Sequence, residues 1–192
     1  MELSYQPELD KEESMKLNDD ARSSLLIQDY SPKPTIDGVK LISLRRFNDE
    51  TGALTELVRL TDGKLDGVDS FSVAQLNFSE LAPGGVKAFH IHEFQTDIWY
   101  VPPTDKLILI LVDQRKESPT AGVMMKLVLG DCQSRLVIIP PGIAHGCKNV
   151  SSKPANIVYL VDRKFSPDVN ECDEKRLPWD FFGREIWETP KE

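Results

Sequence analysis

Short apolar runs recur along the chain from about residue 38, and polar segments separate them. Eight of the runs have the length of a β-strand: GVKLISL, FSVAQLNFS, VKAFHIH, DIWYV, KLILILV, MMKLVLG, RLVIIP and ANIVYLV. The segments between them carry turn-forming Gly, Pro and Asp, as in APGG, PPTD and PPG. No segment between 38 and 170 keeps a 3.6-residue apolar period. The pattern therefore predicts an all-β fold, an antiparallel sandwich or barrel.

The two ends of the chain differ from this central pattern. Residues 1–36 carry eight acidic residues up to Asp29 and end close to SPKPT. This composition predicts an acidic N-terminal extension followed by a single domain over residues 37–192. The tail RLPWDFFGREIWETPKE is rich in aromatic residues. We expect it to form a short helical or irregular segment that packs back across the barrel or onto a partner subunit.

Composition and charge exclude several classes of protein. Hydrophobic residues make up 40% of the 192 residues, and the net charge is −8. An acidic chain of this kind is not expected to bind nucleic acid or an anionic membrane surface. We expect no membrane span, because the apolar runs are too short, and no signal peptide, because the first residues are acidic and polar. The three cysteines lack C-x-x-C spacing, which predicts free thiols in a cytoplasmic protein.

All three histidines fall in two short segments, AFHIHEFQTD and PPGIAHGCKN. Residues i and i+2 of a strand point to the same face, so His90 and His92 should project together. Their apolar neighbours Phe89 and Ile91 should then face the opposite side, which predicts a strand covered on both faces. His145 follows a Pro-Pro-Gly corner, and we expect this corner to hold it at a barrel mouth.

These two segments resemble the two motifs of the cupin superfamily. PPGIAHGCKN has the spacing P-x-G-x-x-H-x-x-x-N of the second motif, and HIHEFQTD resembles the first with Gln95 or Asp97 in place of the usual glutamate. The resemblance implies a cupin jelly roll, a double-stranded β-helix. In many cupins such residues bind Zn, Fe, Mn or Ni. One hypothesis is therefore a divalent transition metal held by His90, His92, His145 and Gln95, with Asp97 as the alternative fourth ligand.

A closer resemblance covers about residues 38–180. FNDETGALTEL resembles D-x-R-G-x-F-x-E, AQLNFS resembles Q-x-N-x-S, VDQRKESPTAG matches V-D-x-R-x-x-S-P-T-x-G, and IIPPGIAHG matches I-P-x-G-x-A-H-G. These segments, in this order, are similar to dTDP-4-dehydrorhamnose 3,5-epimerases, a metal-independent branch of the cupins. The resemblance implies a homodimer that acts on a sugar nucleotide without a cofactor.

The same resemblance assigns roles to individual residues. It implies that His90 removes the proton beside the keto group and that Tyr159 returns a proton on the far face of the ring. Imidazole titrates near neutral pH, and a phenol stays protonated until the enolate takes its proton. The nucleotide diphosphate would be bound by four residues and the substrate by three more: Glu56, Gln75, Asn77 and Lys87, then His92, Asp97 and His145.

The sequence departs from the family pattern at three places. The family has a lysine about ten residues after the base, where it stabilises the enolate oxygen, but this region reads QTDIWYV. The arginine of RGLH is Lys87, and the arginine of D-x-R-G is Thr51. The late aspartate that orients the base has no counterpart in the final segment REIWETPKE.

Three hypotheses for the function therefore stay open at this point. The first is an isomerase or epimerase of a nucleotide-linked keto sugar. The second is a metal-dependent cupin enzyme, an oxygenase or isomerase of a small acid, that uses His90, His92 and His145. The third is a non-catalytic carbohydrate-binding cupin, which the missing lysine and aspartate favour. No short motif identifies the substrate itself.

Overall fold

The computed structural model describes residues 16–189, which fall into two units. The predicted extension and tail lie partly outside these residues, at 1–15 and 190–192. The unit that ends at Pro32 contains one short helix, α1 (Asp19–Ser23), and Asn18 caps it by accepting the Ala21 N–H at 2.8 Å. The other unit begins at Lys33, and Ile36 is buried in its core.

The described part of the second unit contains fourteen strands and one short 3₁₀ helix. The strands are β1 (Lys40–Ser43), β2 (Arg46–Asp49), β3 (Gly52–Thr55), β4 (Leu60–Thr61), β5 (Lys64–Leu65), β6 (Gln75–Leu81), β7 (Val86–Ile91), β8 (Asp97–Tyr100), β9 (Lys106–Asp113), β10 (Met124–Gly130), β11 (Arg135–Ile139), β12 (Ile143–Asn149), β13 (Ala155–Val161) and β14 (Lys175–Arg176). The 3₁₀ helix is Glu185–Trp187. The all-β prediction is confirmed.

Ten of these strands form two five-stranded antiparallel sheets. The first sheet has the order β1-β11-β8-β13-β6 and the second has the order β10-β9-β12-β7-β14. The remaining strands form the hairpins β2–β3 and β4–β5. Two antiparallel sheets that share one core are the architecture of a jelly roll.

Strand β9 shows why its sequence is apolar at every position instead of alternating. Leu107, Leu109 and Leu111 point into the core between the sheets. Ile108, Ile110 and Val112 point to the opposite side of the second sheet, where they join a separate apolar cluster. Both faces of this strand are therefore buried, which explains why it carries aliphatic side chains at successive positions.

The aromatic tail provides the cover on that outer side. Phe182 packs edge-on against Phe89 with ring centroids 4.9 Å apart, and the Trp187 ring lies 5.3 Å from it. The indole N–H of Trp187 donates to the Trp179 carbonyl oxygen at 2.9 Å. The prediction that the tail packs back across the barrel is confirmed, as is the prediction that Phe89 faces away from His90.

The sequence pattern missed β12, which carries His145. The segment IAHGCKN has few large apolar residues, yet it pairs with β9 on one side and β7 on the other. His145 is only 1% exposed. The Pro-Pro-Gly corner leads into β12, and His145 is buried because its ring packs against Trp99 of the first sheet, with ring centroids 5.5 Å apart.

Candidate active site

A cavity of about 380 Å³ opens beside the inner face of the first sheet. Its wall includes seven of the residues predicted from the sequence: Gln75, Asn77, His90, His92, Gln95, Asp97 and Tyr159. A smaller inner recess of about 40 Å³ is lined by His90, Asp97 and Tyr159 together with Lys87, Trp99 and His145. The structure therefore brings all but one of the predicted site residues together.

Strand alternation explains how β8 serves this cavity. Asp97 and Trp99 point inward, to the cavity and the recess. Ile98 and Tyr100 point outward, into an apolar cluster on the other face of the first sheet. The short run DIWY can therefore present a carboxylate to the site while its neighbours anchor the strand.

His90 lies on β7 beside a carboxylate that the sequence did not predict. Its Nδ1 is 3.7 Å from Oε1 of Glu174, and the same oxygen accepts from Nη2 of Arg176 at 2.6 Å. Burial lowers the pKa of His90, the nearby His145 lowers it further, and Glu174 opposes both, which leaves a pKa of about 4. The His90 imidazole is therefore neutral at pH 7.

Glu174 and Arg176 reach the site because β14 pairs with β7. In this register Lys175 lies opposite Ile91, and Arg176 lies opposite His90. The segment is short and charged, and its local pattern predicts no strand. Only the run of two acidic and two basic residues in DEKR could have drawn attention to it.

Asp173, the residue before Glu174, fixes the loop that follows His92. Its carboxylate accepts the backbone N–H groups of Glu93, Phe94 and Gln95 at 2.9, 3.0 and 2.8 Å. Its own carbonyl oxygen lies 3.0 Å from Nδ1 of His92. One residue therefore sets both the loop backbone and the orientation of the second histidine.

The side chains of His92, Asp97 and His145 form a buried cluster. Asp97 Oδ1 is 3.7 Å from Nε2 of His92, and Oδ2 is 3.5 Å from Nε2 of His145. Hydrogen bonds from the Gln95 amide at 2.8 Å and the Trp99 indole at 3.0 Å complete the surroundings of the carboxylate. At 3.5 Å the His145 contact is an electrostatic one, and Nε2 has no hydrogen-bond partner in the described chain.

This environment keeps the Asp97 carboxyl ionised. Burial by itself would raise its pKa, because a charge is less stable away from water. The contact with His145, the nearby His92 ring and the Trp99 N–H outweigh burial and lower the pKa of Asp97 to about 2. The cavity therefore contains a full negative charge beneath its histidines.

Tyr159 stands on β13, paired with Trp99 of β8 on one side and Asn77 of β6 on the other. Its ring centroid is 6.0 Å from that of Trp99. Burial raises the pKa of Tyr159, and the charges of Asp97 and Glu174 raise it further. Its hydroxyl therefore holds its proton at neutral pH.

Comparison with known proteins identifies the family. The family model for dTDP-4-dehydrorhamnose 3,5-epimerase matches residues 33–180. The spore coat polysaccharide biosynthesis protein SpsL of Bacillus subtilis (strain 168) is 37% identical over 145 residues, covering 76% of this chain and 91% of SpsL. The chain belongs to the dTDP-4-dehydrorhamnose 3,5-epimerase family.

Two solved structures support this assignment of the epimerase. A dTDP sugar isomerase from Desulfovibrio desulfuricans G20 has a TM-score of 0.67 at 28% identity, covering 76% of this chain and 87% of that one. A dTDP-4-dehydrorhamnose 3,5-epimerase from Bacillus anthracis str. Ames has a TM-score of 0.61 at 26% identity, covering 74% and 80%. The cupin jelly roll and an enzyme of sugar-nucleotide epimerase type, both predicted from the sequence, are confirmed.

The reaction of this family uses no metal or cofactor. Of the side chains that the metal hypothesis named, three come together in the epimerase. Among the described residues, ligand atoms within 4.8 Å of one another belong to His92, Asp97 and His145. His90, a member of the predicted metal set, stands outside this cluster.

Two predicted nucleotide contacts of the epimerase, Lys87 and Glu56, do not line the main cavity. Lys87 reaches the inner recess, but its Nζ donates to Ser79 Oγ at 2.7 Å and to the Glu80 carbonyl oxygen at 3.0 Å. Glu56 does not line the cavity. It is exposed on the outer side of the first sheet, where it pairs with Arg59 at 2.9 Å.

No helix in the described residues has the length and apolar content needed to cross a membrane.

Proposed function

We propose that this epimerase inverts a carbon centre beside the keto group of a dTDP-linked 4-keto sugar, with His90 as the base and Tyr159 as the acid. The observation that carries the proposal is that both side chains line one cavity together with Gln75 and Asn77. A base and an acid that face a shared space can act on opposite faces of a flat enolate.

The surroundings of His90 suit the removal of a proton from carbon. Because Nδ1 faces Glu174, Nε2 remains for the substrate. The carboxylate orients the ring and stabilises the imidazolium that forms when Nε2 takes the proton. Glu174 thus provides what the family's late aspartate provides, although it comes from a different segment of the chain.

The polar wall of the cavity suits a nucleotide diphosphate. Gln75 donates to Asn77 Oδ1 at 2.7 Å and accepts the Phe165 N–H at 3.0 Å, so these amides are held in place for a base or a sugar. Lys164 and Arg176 add positive charge to the same wall. The Bacillus anthracis relative was solved with TDP and PPi bound, which supports a dTDP-linked substrate.

Deuterium exchange is the direct test of this function. In D₂O, the wild-type chain is expected to place deuterium beside the keto group of a dTDP-4-keto-6-deoxy sugar and to form an epimer, followed by NMR. The rate should survive EDTA treatment. Binding of dTDP without exchange would favour a non-catalytic carbohydrate-binding protein. Loss of deuterium exchange in EDTA would instead favour a metal-dependent enzyme.

We also propose that the epimerase works as a homodimer in the cytoplasm. Strand β6 is an edge of the first sheet, and it exposes Leu76 and Phe78 to 63% and 69%. An uncovered apolar edge strand invites pairing with another chain. Glu56 could then contact nucleotide only across such an interface. The three free thiols fit a reducing compartment.

Light scattering on purified protein tests the dimer. The wild type is expected to have the mass of two chains, and Phe78→Asp is expected to have the mass of one, because a buried unpaired charge opposes association. Val169→Asp is the matched control, since Val169 is 90% exposed and lies outside the strands. A wild-type mass of one chain would refute the homodimer.

A further inference from the structure

The family lysine that stabilises the enolate oxygen is absent, so another group must stabilise that oxygen. When a base removes the proton, the carbonyl oxygen gains negative charge and requires a donor in place. The indole of Trp99, nine residues after His90, occupies this part of β8. Lys87 already donates to Ser79 and the Glu80 carbonyl, and Arg176 is paired with Glu174. Lys164 lines the outer cavity but not the inner recess that His90 and Tyr159 share.

His145 is the side chain placed to fill this gap. It is 1% exposed, and it borders the inner recess together with His90 and Tyr159. The His90 and His145 ring centroids are 5.8 Å apart. Its Nε2 is a buried polar atom without a hydrogen-bond partner among the described residues. Because a buried polar atom without a partner is costly, this nitrogen is suited to hydrogen-bond an oxygen of the ligand.

The contacts of His145 determine which form of the ring is stable. Its Nδ1 lies 3.0 Å from the Ile143 carbonyl oxygen, so Nδ1 carries a hydrogen. In a neutral ring the lone pair of Nε2 would then face the carboxylate of Asp97 at 3.5 Å. That arrangement is repulsive, whereas a second proton on Nε2 makes it attractive.

His92 Nε2 also faces Asp97, at 3.7 Å from Oδ1, but His92 differs from His145 because a donor lies beside that nitrogen. Its Nδ1 is also turned to a carbonyl oxygen, that of Asp173, but its Nε2 lies 3.4 Å from the Gln95 amide nitrogen. That amide is a donor, and it suits the lone pair of a neutral imidazole. The geometry therefore places the extra proton on His145, with Asp97 as its counter-ion.

We infer that His145, held as an imidazolium by Asp97, is the electrophile that replaces the family lysine. This role rests on the proposed epimerase function. His90 takes the proton from carbon, the C–H electron pair forms the C=C bond, and the carbonyl π pair moves onto the oxygen. His145 hydrogen-bonds that oxygen through Nε2–H. Tyr159 then protonates the carbon from the other face as the C=O bond re-forms, and water restores both residues.

Kinetics of two variants test this inference. His145→Gln keeps a neutral N–H donor without the charge, and exchange is expected to slow by about 10² to 10³-fold while dTDP affinity is unchanged. Asp97→Asn should act in the same direction, because Asp97 positions His145. Asp105→Asn is the matched control, since Asp105 is equally buried, at 4%, but lies away from the cavity. A variant of His145 with wild-type exchange would overturn the role.

Nitrogen-15 NMR of histidine-labelled free protein gives a readout that does not depend on turnover. We expect one ring with protons on both nitrogens, which disappears in His145→Gln and becomes neutral in Asp97→Asn. A neutral or metal-bound His145 in an active wild-type enzyme would refute the inference and leave the epimerase intact. An imidazolium in a protein that exchanges no keto sugar would instead refute the proposed function.

Discussion

The His90→Asn variant is expected to incorporate deuterium about 10² to 10⁴-fold more slowly than the wild type, because it lacks the base. Asparagine is smaller than histidine but keeps a polar group in the half-buried position, and its amide cannot accept a proton from carbon. Glu174 keeps its contact with Arg176 at 2.6 Å, so the substitution leaves no unpaired carboxylate. The fold should therefore persist while the chemistry stops.

The measurement is the initial exchange rate in D₂O with a dTDP-4-keto-6-deoxy sugar, followed by NMR. Titration with dTDP serves as the control, and it should give the wild-type affinity. An exchange rate close to that of the wild type would assign the base to another group. His92 would be the next candidate, because it lines the same cavity.

The Tyr159→Phe variant is expected to separate exchange from inversion. Without the phenol, the enolate regains its proton from His90 on the face that lost it. Deuterium then enters the substrate with retention, while the epimer forms about 10² to 10⁴-fold more slowly. Phenylalanine keeps the ring that packs 6.0 Å from Trp99, so the cavity wall is preserved.

A matched control is available on the neighbouring strand. Tyr100 is buried, at 7% exposure, but it faces the outer apolar cluster and not the cavity. Tyr100→Phe should therefore leave both rates unchanged. An unchanged rate of epimer formation in Tyr159→Phe would contradict its role as the acid and would point to a proton donor elsewhere in the wall.

Local sequence pattern was enough to predict most of the framework. Runs such as KLILILV and ANIVYLV have the length and the β-branched or aliphatic content of strands, and they became β9 and β13. Strand β12 was missed because IAHGCKN is poor in large apolar residues. It is a strand because β7 and β9 hydrogen-bond it on both sides, which is a property of the partners and not of the segment.

Some residues of the candidate site could likewise be predicted from the sequence, and others could not. Motif spacing pointed to His90, His145 and Tyr159, and the structure places them around one recess. Glu174 carries no motif and meets His90 only through a long-range strand pairing. Glu56 does carry a motif, yet it lies outside the cavity of its own chain. Motif spacing predicts which residues act together within one segment, but it does not predict which distant segments come into contact.

The register of β14 against β7 has a consequence for how this enzyme can change over evolution. Asp173 and Glu174 are adjacent, and they serve different partners, the loop backbone and the base. A shift of one residue in an extended segment turns every side chain to the other face. A one-residue change of length between Asp173 and Arg176 would therefore turn Glu174 away from His90, and the base would lose the carboxylate that orients it.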